Sequence, residues 1–221
     1  MRRTVVFDVN ETLLDLRALD VHFARIFGDA TARTEWFWLV LRNALTLTVT
    51  RDYHDFVAVG RASLQMVAEA KDVVLAPNDL EAVAATMASL PPHGDVDRNL
   101  ARLATAGTTV AALTNSPRPL AVTQLTNAGI IDHFNEILSV DTVERFKPAA
   151  DVYESAAARL QVPVDAMTMV AAHDWDIAGA MRAGTRGAFV QRPGMVWNPL
   201  YPPPDISEPD LDKVVDRILS G

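Results

Sequence analysis

Several features that define other protein classes are missing from this chain of 221 residues. It contains no cysteine, which excludes disulfide bonds, thiolate metal sites and cysteine nucleophiles. No apolar run approaches the length that crosses a membrane. The net charge of −8 argues against a general affinity for nucleic acid or for acidic membranes. No signal-peptide core follows the two arginines at the start, so we expect a cytoplasmic protein.

The first third of the chain predicts one buried strand followed by helices. Val5, Val6 and Phe7 are typical of a strand covered on both faces. Residues 16–90 then have apolar positions at three- and four-residue spacing, most clearly over 35–50 and 56–70. The segment Pro91-Pro92-His93-Gly94 interrupts this pattern. We therefore predict a core of residues 1–14 and 92–221, and a helical cap domain of residues 15–91.

Strands and helices alternate through the remainder of the chain. The predicted strands are 108–113, 136–140, 167–172 and 187–191, the last of which we take as the final strand. The predicted helices are 96–106, 119–128, 149–160, 176–183 and 211–219, three of them followed directly by glycine. Such alternation predicts an α/β fold with a doubly wound parallel sheet, into which the all-helical cap is inserted after the first strand.

Polar side chains follow four of the predicted strands. Asp8, with Asn10 and Thr12 beside it, ends the first strand, and Thr114-Asn115-Ser116 ends the second. Lys147 and the segment 173–176 follow the next two. Ligands of open α/β sheets bind beyond the carboxyl ends of the strands, so these groups are predicted to share one crevice. On these grounds alone Asp8 could be a nucleophile, a metal ligand or a base.

The set FDVNETLLD, LTNS, FKPAADVYE and VAAHDWDIAGAMRAG resembles the four motifs of the haloacid dehalogenase superfamily. Within that superfamily the chain is most similar to the type II (S)-2-haloacid dehalogenases, over essentially its whole length. The resemblance implies a Rossmann-like core with a cap domain. It also implies hydrolysis of a carbon–halogen bond in a small 2-haloacid.

Two positions separate this chain from the phosphatases of the superfamily. Phosphatases have a second Asp two residues after the nucleophile, which protonates the departing alkoxide, and Asn10 stands there instead. They also have an Asp after the final motif strand that binds magnesium, and Ala172 occupies that position. A halide leaves as a stable anion without a proton. Both positions therefore favour a dehalogenase, and no metal or other cofactor is expected.

The resemblance implies covalent catalysis by Asp8. Its carboxylate attacks C2 of the haloacid in line with the departing halide, and water then attacks the carboxyl carbon of the aspartyl ester. Lys147 is expected to keep Asp8 ionised, because a close opposite charge lowers a carboxyl pKa by roughly 1–3 units. Thr12 is expected to fix the carboxylate, Tyr153 matches the supporting tyrosine, and Asp176 matches the residue that orients the hydrolytic water.

The same resemblance implies the substrate contacts. Thr114, Asn115 and the backbone amides of Val9 and Asn10 are expected to bind the substrate carboxylate. Trp175 is expected to line the pocket. A small 2-haloacid is the expected partner, with no nucleic acid and no membrane.

The chain departs from the well-known type II enzymes at four positions. Those enzymes have tyrosine in place of Asn10, and serine, serine and asparagine in place of Ala171, Ala172 and His173. The loss of the hydroxyl groups removes part of the expected water network. We predict that His173 either replaces it or indicates a different substrate. As a replacement it would act as a partner of the leaving halide or as a base, and an imidazole pKa near neutrality permits either role.

A cap arginine is also expected to draw out the halide and grip the substrate. We predict Arg42 for this role, with Arg33 and Arg51 as rivals. The apolar character of residues 35–50 is compatible with a homodimer formed through a cap helix, although the same residues could all be internal.

Simpler interpretations stand beside these predictions. Lys147 could be an exposed loop lysine, Tyr153 could only pack its helix on the sheet, and Asp176 could cap a helix that it begins. Two alternative functions also remain: a magnesium-dependent phosphatase, and a non-catalytic binding module that has kept the fold.

Overall fold

A parallel six-stranded sheet forms the centre of the protein, whose computed structural model describes residues 3–221. The order β3-β2-β1-β4-β5-β6 places the first strand in the middle, with later strands added on either side. The strands are β1 (Thr4–Phe7), β2 (Thr109–Thr114), β3 (Glu136–Ser139), β4 (Met167–Ala171), β5 (Arg186–Val190) and β6 (Ile206–Glu208). The predicted α/β fold is confirmed.

The helices fall into two groups along the chain. Those of the helical insertion are α1 (Asp20–Phe27), α2 (Ala32–Thr50), α3 (Phe56–Ala70) and α4 (Asp79–Met87). Those that alternate with the strands are α5 (Val96–Thr105), α6 (Arg118–Asn127), α7 (Ala150–Leu160), α8 (Asp174–Arg182) and α9 (Leu211–Ser220). All the predicted helices are present, within a few residues of the predicted ends.

Strand β6 corrects the prediction that residues 187–191 form the last strand. It follows the proline-rich loop and pairs in parallel with β5, with Ala188 opposite Ile206. Three residues are too few to show a strand period, so the pairing depends on the exposed edge of β5. The carboxylate of Asp205 supports it by accepting a hydrogen bond from the Gly187 amide at 2.7 Å.

Strand β1 is short but paired on both sides. Phe7 lies opposite Ala112 of β2 and Val170 of β4. Val5, Val6 and Phe7 are at most 1% exposed, as expected for a strand covered on both faces. The strand order reverses beside β1, so the residue that follows Phe7 enters the crevice where ligands of such sheets bind.

The chain enters and leaves the helical insertion at adjacent points. The Asp15 amide donates to the Pro91 carbonyl at 2.8 Å, and Leu14 forms a bridge with Pro92. The insertion packs against the loop before α7, where the rings of Tyr53 and Phe56 lie 5.3 and 5.8 Å from that of Phe146. The helices therefore cover the carboxyl edge of the sheet, while the exact domain limits stay a prediction.

Among the helices of residues 3–221, none combines the length and the apolar character that a bilayer crossing requires.

Candidate active site

The turn after β1 brings Asp8 to the edge of the sheet. The Asp8 amide continues the ladder by donating to the Val170 carbonyl at 3.0 Å. The chain then reverses, and the amides of Leu13 and Leu14 donate to the Val9 carbonyl at 2.9 and 3.0 Å. In this turn Glu11 has a φ of +62°, which is in the left-handed region.

Three polar side chains contact the Asp8 carboxylate, which is almost fully buried. Lys147 Nζ donates to Oδ1 at 2.7 Å. Thr12 Oγ1 donates to Oδ2 at 2.6 Å, and His173 Nδ1 lies 3.2 Å from the same oxygen. The Ala172 amide donates in turn to Thr12 Oγ1 at 2.9 Å, which fixes the direction of that hydroxyl. The carboxylate is thus held in one orientation.

One flank of Asp8, which we call the lysine side, consists of Lys147, Asp176 and Tyr153. Lys147 Nζ uses all three of its hydrogens, on Asp8, on Asp176 Oδ2 at 2.6 Å and on the Leu113 carbonyl at 3.0 Å. The Tyr153 hydroxyl donates to Asp176 Oδ1 at 2.6 Å. All three side chains are buried, so Lys147 is not an exposed loop lysine and Tyr153 does more than pack its helix.

The position of Asp176 differs from the prediction. Helix α8 begins at Asp174, with His173 at the N-cap, so Asp176 lies within the first turn and caps nothing. Its side chain points inward, where it is fully buried against Lys147 and Tyr153.

The opposite flank, which we call the histidine side, consists of His173, Glu11 and Arg33. His173 Nε2 lies 2.9 Å from Glu11 Oε2, while Nδ1 faces Asp8. Arg33 Nη1 lies 3.6 Å from Glu11 Oε1, and its Nε donates to Asp20 Oδ1 at 2.5 Å. Sequence reasoning missed Glu11, whose side chain reaches His173 only because the turn adopts its left-handed conformation.

The charges of the two flanks set the protonation of the site. Burial raises the pKa of Asp8, but Lys147 and the hydrogen bond from His173 outweigh it and hold that pKa well below its usual range. Burial lowers the pKa of Lys147, but the carboxylates of Asp176 and Asp8 raise it above its ordinary value. Burial raises the pKa of Asp176, although Lys147 opposes this. At neutral pH the structure therefore pairs an ionised Asp8 with a charged Lys147.

The prediction of a pKa near neutrality for His173 is wrong. Burial lowers this pKa, but hydrogen bonds and charge from Asp8 and Glu11 raise it to about 10. The imidazole is consequently a cation at neutral pH, and both of its ring nitrogens donate hydrogen bonds. Its ring stacks on Trp175, with centroids 5.1 Å apart, and lies 6.0 Å from the ring of Phe37 on α2.

Asn10 is fixed by the loop after β2 and by helix α6. Its Nδ2 donates to Ser116 Oγ at 3.3 Å, and its Oδ1 accepts from Gln124 Nε2 at 3.2 Å. The backbone amides of Val9 and Asn10 are not used by any hydrogen bond of the turn within the described residues. They are therefore available to an anion beside Asp8.

The loop after β2 contributes Thr114 and Asn115. Thr114 Oγ1 accepts from the Ser116 amide at 3.1 Å. Asn115 Oδ1 accepts from the Lys147 amide at 3.0 Å, which ties the loop before α7 to the loop after β2. Both side chains are buried. The carboxyl-edge residues of four strands are thus brought together around Asp8, as the sequence predicts.

A cavity of about 360 Å³ opens between α2 and these loops. Its wall includes Asn115, Lys147, Trp175 and Arg42. The indole Nε1 of Trp175 is buried and has no hydrogen-bond partner among residues 3–221. Trp175 thus brings a buried donor without a partner close to the wall of this cavity.

The three candidate arginines occupy different places. Arg42 is exposed at the cavity wall and donates to Asn43 Oδ1 at 3.3 Å, without contact to Asp8. Arg33 reaches the site indirectly, through Glu11. Arg51 is an exposed residue at the C-terminal end of α2.

Contacts from Arg192 and His93 also stabilise the turn that carries Asp8. Arg192 donates from Nε and Nη2 to the Thr12 carbonyl at 3.1 and 3.0 Å, and from Nη1 to Asp95 Oδ2 at 2.8 Å. The Leu211 amide, at the start of α9, donates to the same Asp95 oxygen at 3.0 Å. His93 Nε2 lies 3.0 Å from the Glu11 carbonyl. These contacts join the turn to residues far along the chain.

The donor set does not fit a magnesium ion. Both oxygens of Asp8 and both oxygens of Asp176 already accept from N–H or O–H groups, and Lys147 Nζ occupies the space between the two carboxylates. Hard divalent cations need several free oxygen ligands. Within residues 3–221, no group of three His, Asp or Glu side chains has an arrangement that could hold a metal ion.

Comparison with known proteins identifies the family of the chain. A family model of haloacid dehalogenase-like hydrolases matches residues 2–184. The chain belongs to this hydrolase family.

Relatives within the family cover the chain to different extents. The (S)-2-haloacid dehalogenase H-109 of Pseudomonas putida is 25% identical over 218 residues, which cover 97% of each chain. The haloacetate dehalogenase H-2 of Moraxella sp. (strain B) is 26% identical over 129 residues, 58% of each. The structure of L-2-haloacid dehalogenase from Xanthobacter autotrophicus superposes with a TM-score of 0.92 at 25% identity, over 100% of this chain and 99% of that one.

Proposed function

We propose that this hydrolase converts short 2-haloalkanoic acids to 2-hydroxy acids through an ester on Asp8, without a metal ion. The relatives named as 2-haloacid dehalogenases support the substrate class. The observation that carries the proposal is the position of Lys147 Nζ, 2.7 Å from Asp8 and 2.6 Å from Asp176. A lysine there keeps Asp8 ionised as a nucleophile and fills the space that a metal ion would need.

In the first half-reaction, Asp8 Oδ1 is the attacking atom. It accepts one hydrogen bond, whereas Oδ2 has two polar partners, so Oδ1 keeps the more available electron pair. Oδ1 forms a bond to C2 of the substrate, and the carbon–halogen bond breaks as the halide leaves with its electron pair. No proton is needed at this step.

In the second half-reaction, water attacks the carboxyl carbon of the Asp8 ester. The bond from that carbon to Oδ1 breaks, and Oδ1 leaves as the hydroxyl oxygen of the product. Lys147 Nζ already donates to Oδ1 and can stabilise the charge that forms there. Asp176, held by Tyr153 and Lys147, is the proposed residue that orients the water.

The substrate carboxylate is proposed to bind the free amides of Val9 and Asn10, together with Thr114 and Asn115. Backbone amides at the end of a strand are suited to an anion. The halide is then proposed to leave toward Trp175, whose buried Nε1 has no hydrogen-bond partner among residues 3–221. Arg42 lies at the exposed part of this wall, from which it can attract anions into the cavity.

A phosphatase is less well supported by the site. Asn10 is bound to Ser116 and Gln124 and has no acidic proton for a leaving alkoxide. The oxygens that could bind magnesium are already engaged with Lys147, Thr12 and Tyr153.

Chloride release provides the test. The protein is incubated with racemic 2-chloropropionate in the presence of a chelator, and chloride is measured over time. Asp8→Asn should abolish release, a loss of roughly 10⁴-fold or more, as expected for removal of a nucleophile. Asp165→Asn is the matched control, because Asp165 is exposed and outside the site.

The other functions give different outcomes in the same assay. If the protein releases no halide but hydrolyses a phosphate ester only when magnesium is added, the dehalogenase proposal is wrong. Inertness toward both substrates would leave the non-catalytic binding module.

Cytoplasmic location, the absence of nucleic-acid binding and the homodimer stay predictions. For the homodimer, the exposed face of α2 supplies apolar side chains in Trp38, Leu45 and Val49, which are 52%, 40% and 80% exposed. Gel filtration with light scattering measures the oligomeric state directly.

A further inference from the structure

His173 lies between two carboxylates. Its Nδ1 is 3.2 Å from Asp8 Oδ2, and its Nε2 is 2.9 Å from Glu11 Oε2. An ionised carboxylate only accepts hydrogen bonds, so both ring nitrogens must donate. His173 is therefore an imidazolium in the resting protein.

The proposed Asp8 ester changes one side of this arrangement and leaves the other intact. Alkylation at Oδ1 removes the charge of Asp8, and Oδ2 becomes an uncharged ester carbonyl. Glu11 takes no part in that bond. It remains fixed by its amide, which donates to the Leu14 carbonyl at 2.8 Å, and by His93 Nε2, 3.0 Å from its own carbonyl.

We propose that Glu11 is a positioning residue that keeps His173 protonated while Asp8 is esterified, so that the imidazolium stabilises the oxyanion formed on Oδ2 during ester hydrolysis. This inference rests on the proposed function and assigns a distinct task to the histidine side. Thr12 Oγ1, 2.6 Å from Oδ2, is the second donor to the same oxyanion.

The step balances as an ester hydrolysis. The water oxygen bonds to the carboxyl carbon of Asp8, and the carbonyl π pair moves to Oδ2, where His173 Nδ1–H and Thr12 Oγ1–H stabilise it. The pair returns, and the bond from carbon to Oδ1 breaks. One proton of the water ends on the product hydroxyl, and the other leaves to solvent as Asp8 ionises again. His173 keeps both of its protons throughout.

The charge around His173 comes from several elements. The turn after β1 supplies the anions Asp8 and Glu11, and α2 supplies the cation Arg33, which faces Glu11. Trp175 and Phe37 are uncharged neighbours of the ring. On the far side of Asp8 lies the lysine side. The charged groups are Asp8, Glu11, Arg33, Lys147 and Asp176. With Asp8 esterified, Glu11 is the anion that contacts the ring directly.

Glu11→Gln tests the inference, because it keeps the shape and removes the charge. We expect halide release in a single turnover to stay within about twofold, whereas hydrolysis of the ester slows by about tenfold; removal of an oxyanion donor itself costs roughly 10²-fold or more. Intact-protein mass spectrometry after mixing with 2-chloropropionate should show accumulated Asp8 ester. Glu154→Gln is the control, because Glu154 is exposed on α7.

The pH profile distinguishes this role from a structural one. Activity that needs protonated His173 is present at low pH and lost as pH rises through its pKa, so loss of the Glu11 charge should move the alkaline limb of kcat down by about one pH unit. Glu11→Asp should return the limb toward its wild-type position. An unmoved limb with a wild-type ester lifetime in Glu11→Gln would overturn the inference.

A measurement on the wild-type protein covers the case in which Glu11→Gln does not fold. Nitrogen-15 NMR of labelled histidine should show His173 with both nitrogens protonated at pH 8, before and after ester formation. A neutral ring in the ester state would overturn the inference while leaving Asp8 catalysis intact. Absence of any halide release by the wild-type protein would instead reject the proposed function.

Discussion

The lysine side and the histidine side each present a cation to the Asp8 carboxylate, but they differ in how deeply their charged groups are buried. Lys147, Asp176 and Tyr153 are all buried, and every hydrogen of the ammonium is used. On the histidine side, Glu11 and Arg33 are partly exposed, and the 3.6 Å separation of their charges is longer than a hydrogen bond. In the proposed reaction the lysine side fixes the Asp8 carboxylate, whereas the histidine side keeps its own charge when Asp8 loses its charge.

The largest effect is expected from Lys147→Met. This change leaves Asp176 without a cation and His173 as the remaining cation beside Asp8, and removal of one partner from a buried ion pair destabilises a protein by about 3–5 kcal/mol. Halide release should disappear, because Asp8 or Asp176 must then take up a proton. Urea denaturation and a chloride assay measure the two effects.

Lys71→Met is the control for this comparison. The ion pair of Lys71 with Glu35 lies at the surface, at a distance of 2.8 Å. Exposed pairs of this kind contribute about 0–1 kcal/mol. Equal destabilisation by the two lysine variants would contradict the special position of Lys147.

An intermediate effect is expected in the pH dependence of stability. The pKa of His173 is raised from 6.5 to about 10, so its contribution is complete below pH 6.5 and is lost as pH rises toward 10. Asp8 has a lowered pKa, and its contribution is lost only in acid. Denaturation of wild type and His173→Asn from pH 6 to pH 10 should therefore show a stability difference that shrinks with rising pH. A constant difference would show that His173 does not titrate in this range.

The smallest effect is expected from Arg33→Gln. Arg33 touches Asp8 only through Glu11 and His173. The side chains of Arg33 and Glu11 are only 12% and 14% exposed, so we expect a larger loss in the free energy of unfolding than for a surface ion pair. The loss should be smaller than for Lys147→Met, because Asp20, the other partner of Arg33, is 38% exposed and can be solvated. The alkaline limb of kcat should remain within about half a pH unit of wild type, because Glu11 still carries its charge. A larger shift would make Arg33, rather than Glu11, the residue that controls the histidine side.

The lysine side could be predicted from the sequence because its members follow strands of the sheet. Once β1, β2 and β4 are recognised as parallel, Asp8, the loop after Leu113 and Asp176 must meet at one edge. Lys147 precedes α7 and Tyr153 lies within it, so that single helix positions both side chains. Topology predicts the shared edge, whereas the pairing of Lys147 with Asp8 and the support from Tyr153 are predicted from the resemblance to the dehalogenases.

The histidine side could not be predicted in the same way. The contact between Glu11 and His173 depends on the left-handed conformation of one residue, and hydrophobic periodicity carries no signal for it. Arg33 belongs to the helical insertion, whose placement over the sheet is set by tertiary packing. The same limit applies to β6, a three-residue strand that forms only because β5 presents an edge.

The contacts of Arg192 have a consequence for the evolution of this chain. Arg192, and the helix α9 that shares its Asp95 partner, lie beyond residue 184, where the match to the family model ends. Yet Arg192 donates two hydrogen bonds to the carbonyl of Thr12, and the Thr12 hydroxyl donates to the Asp8 carboxylate. We therefore expect residues of the C-terminal region to co-vary with the turn after β1. A related sequence that has the four motifs but lacks these contacts should hold the turn less firmly.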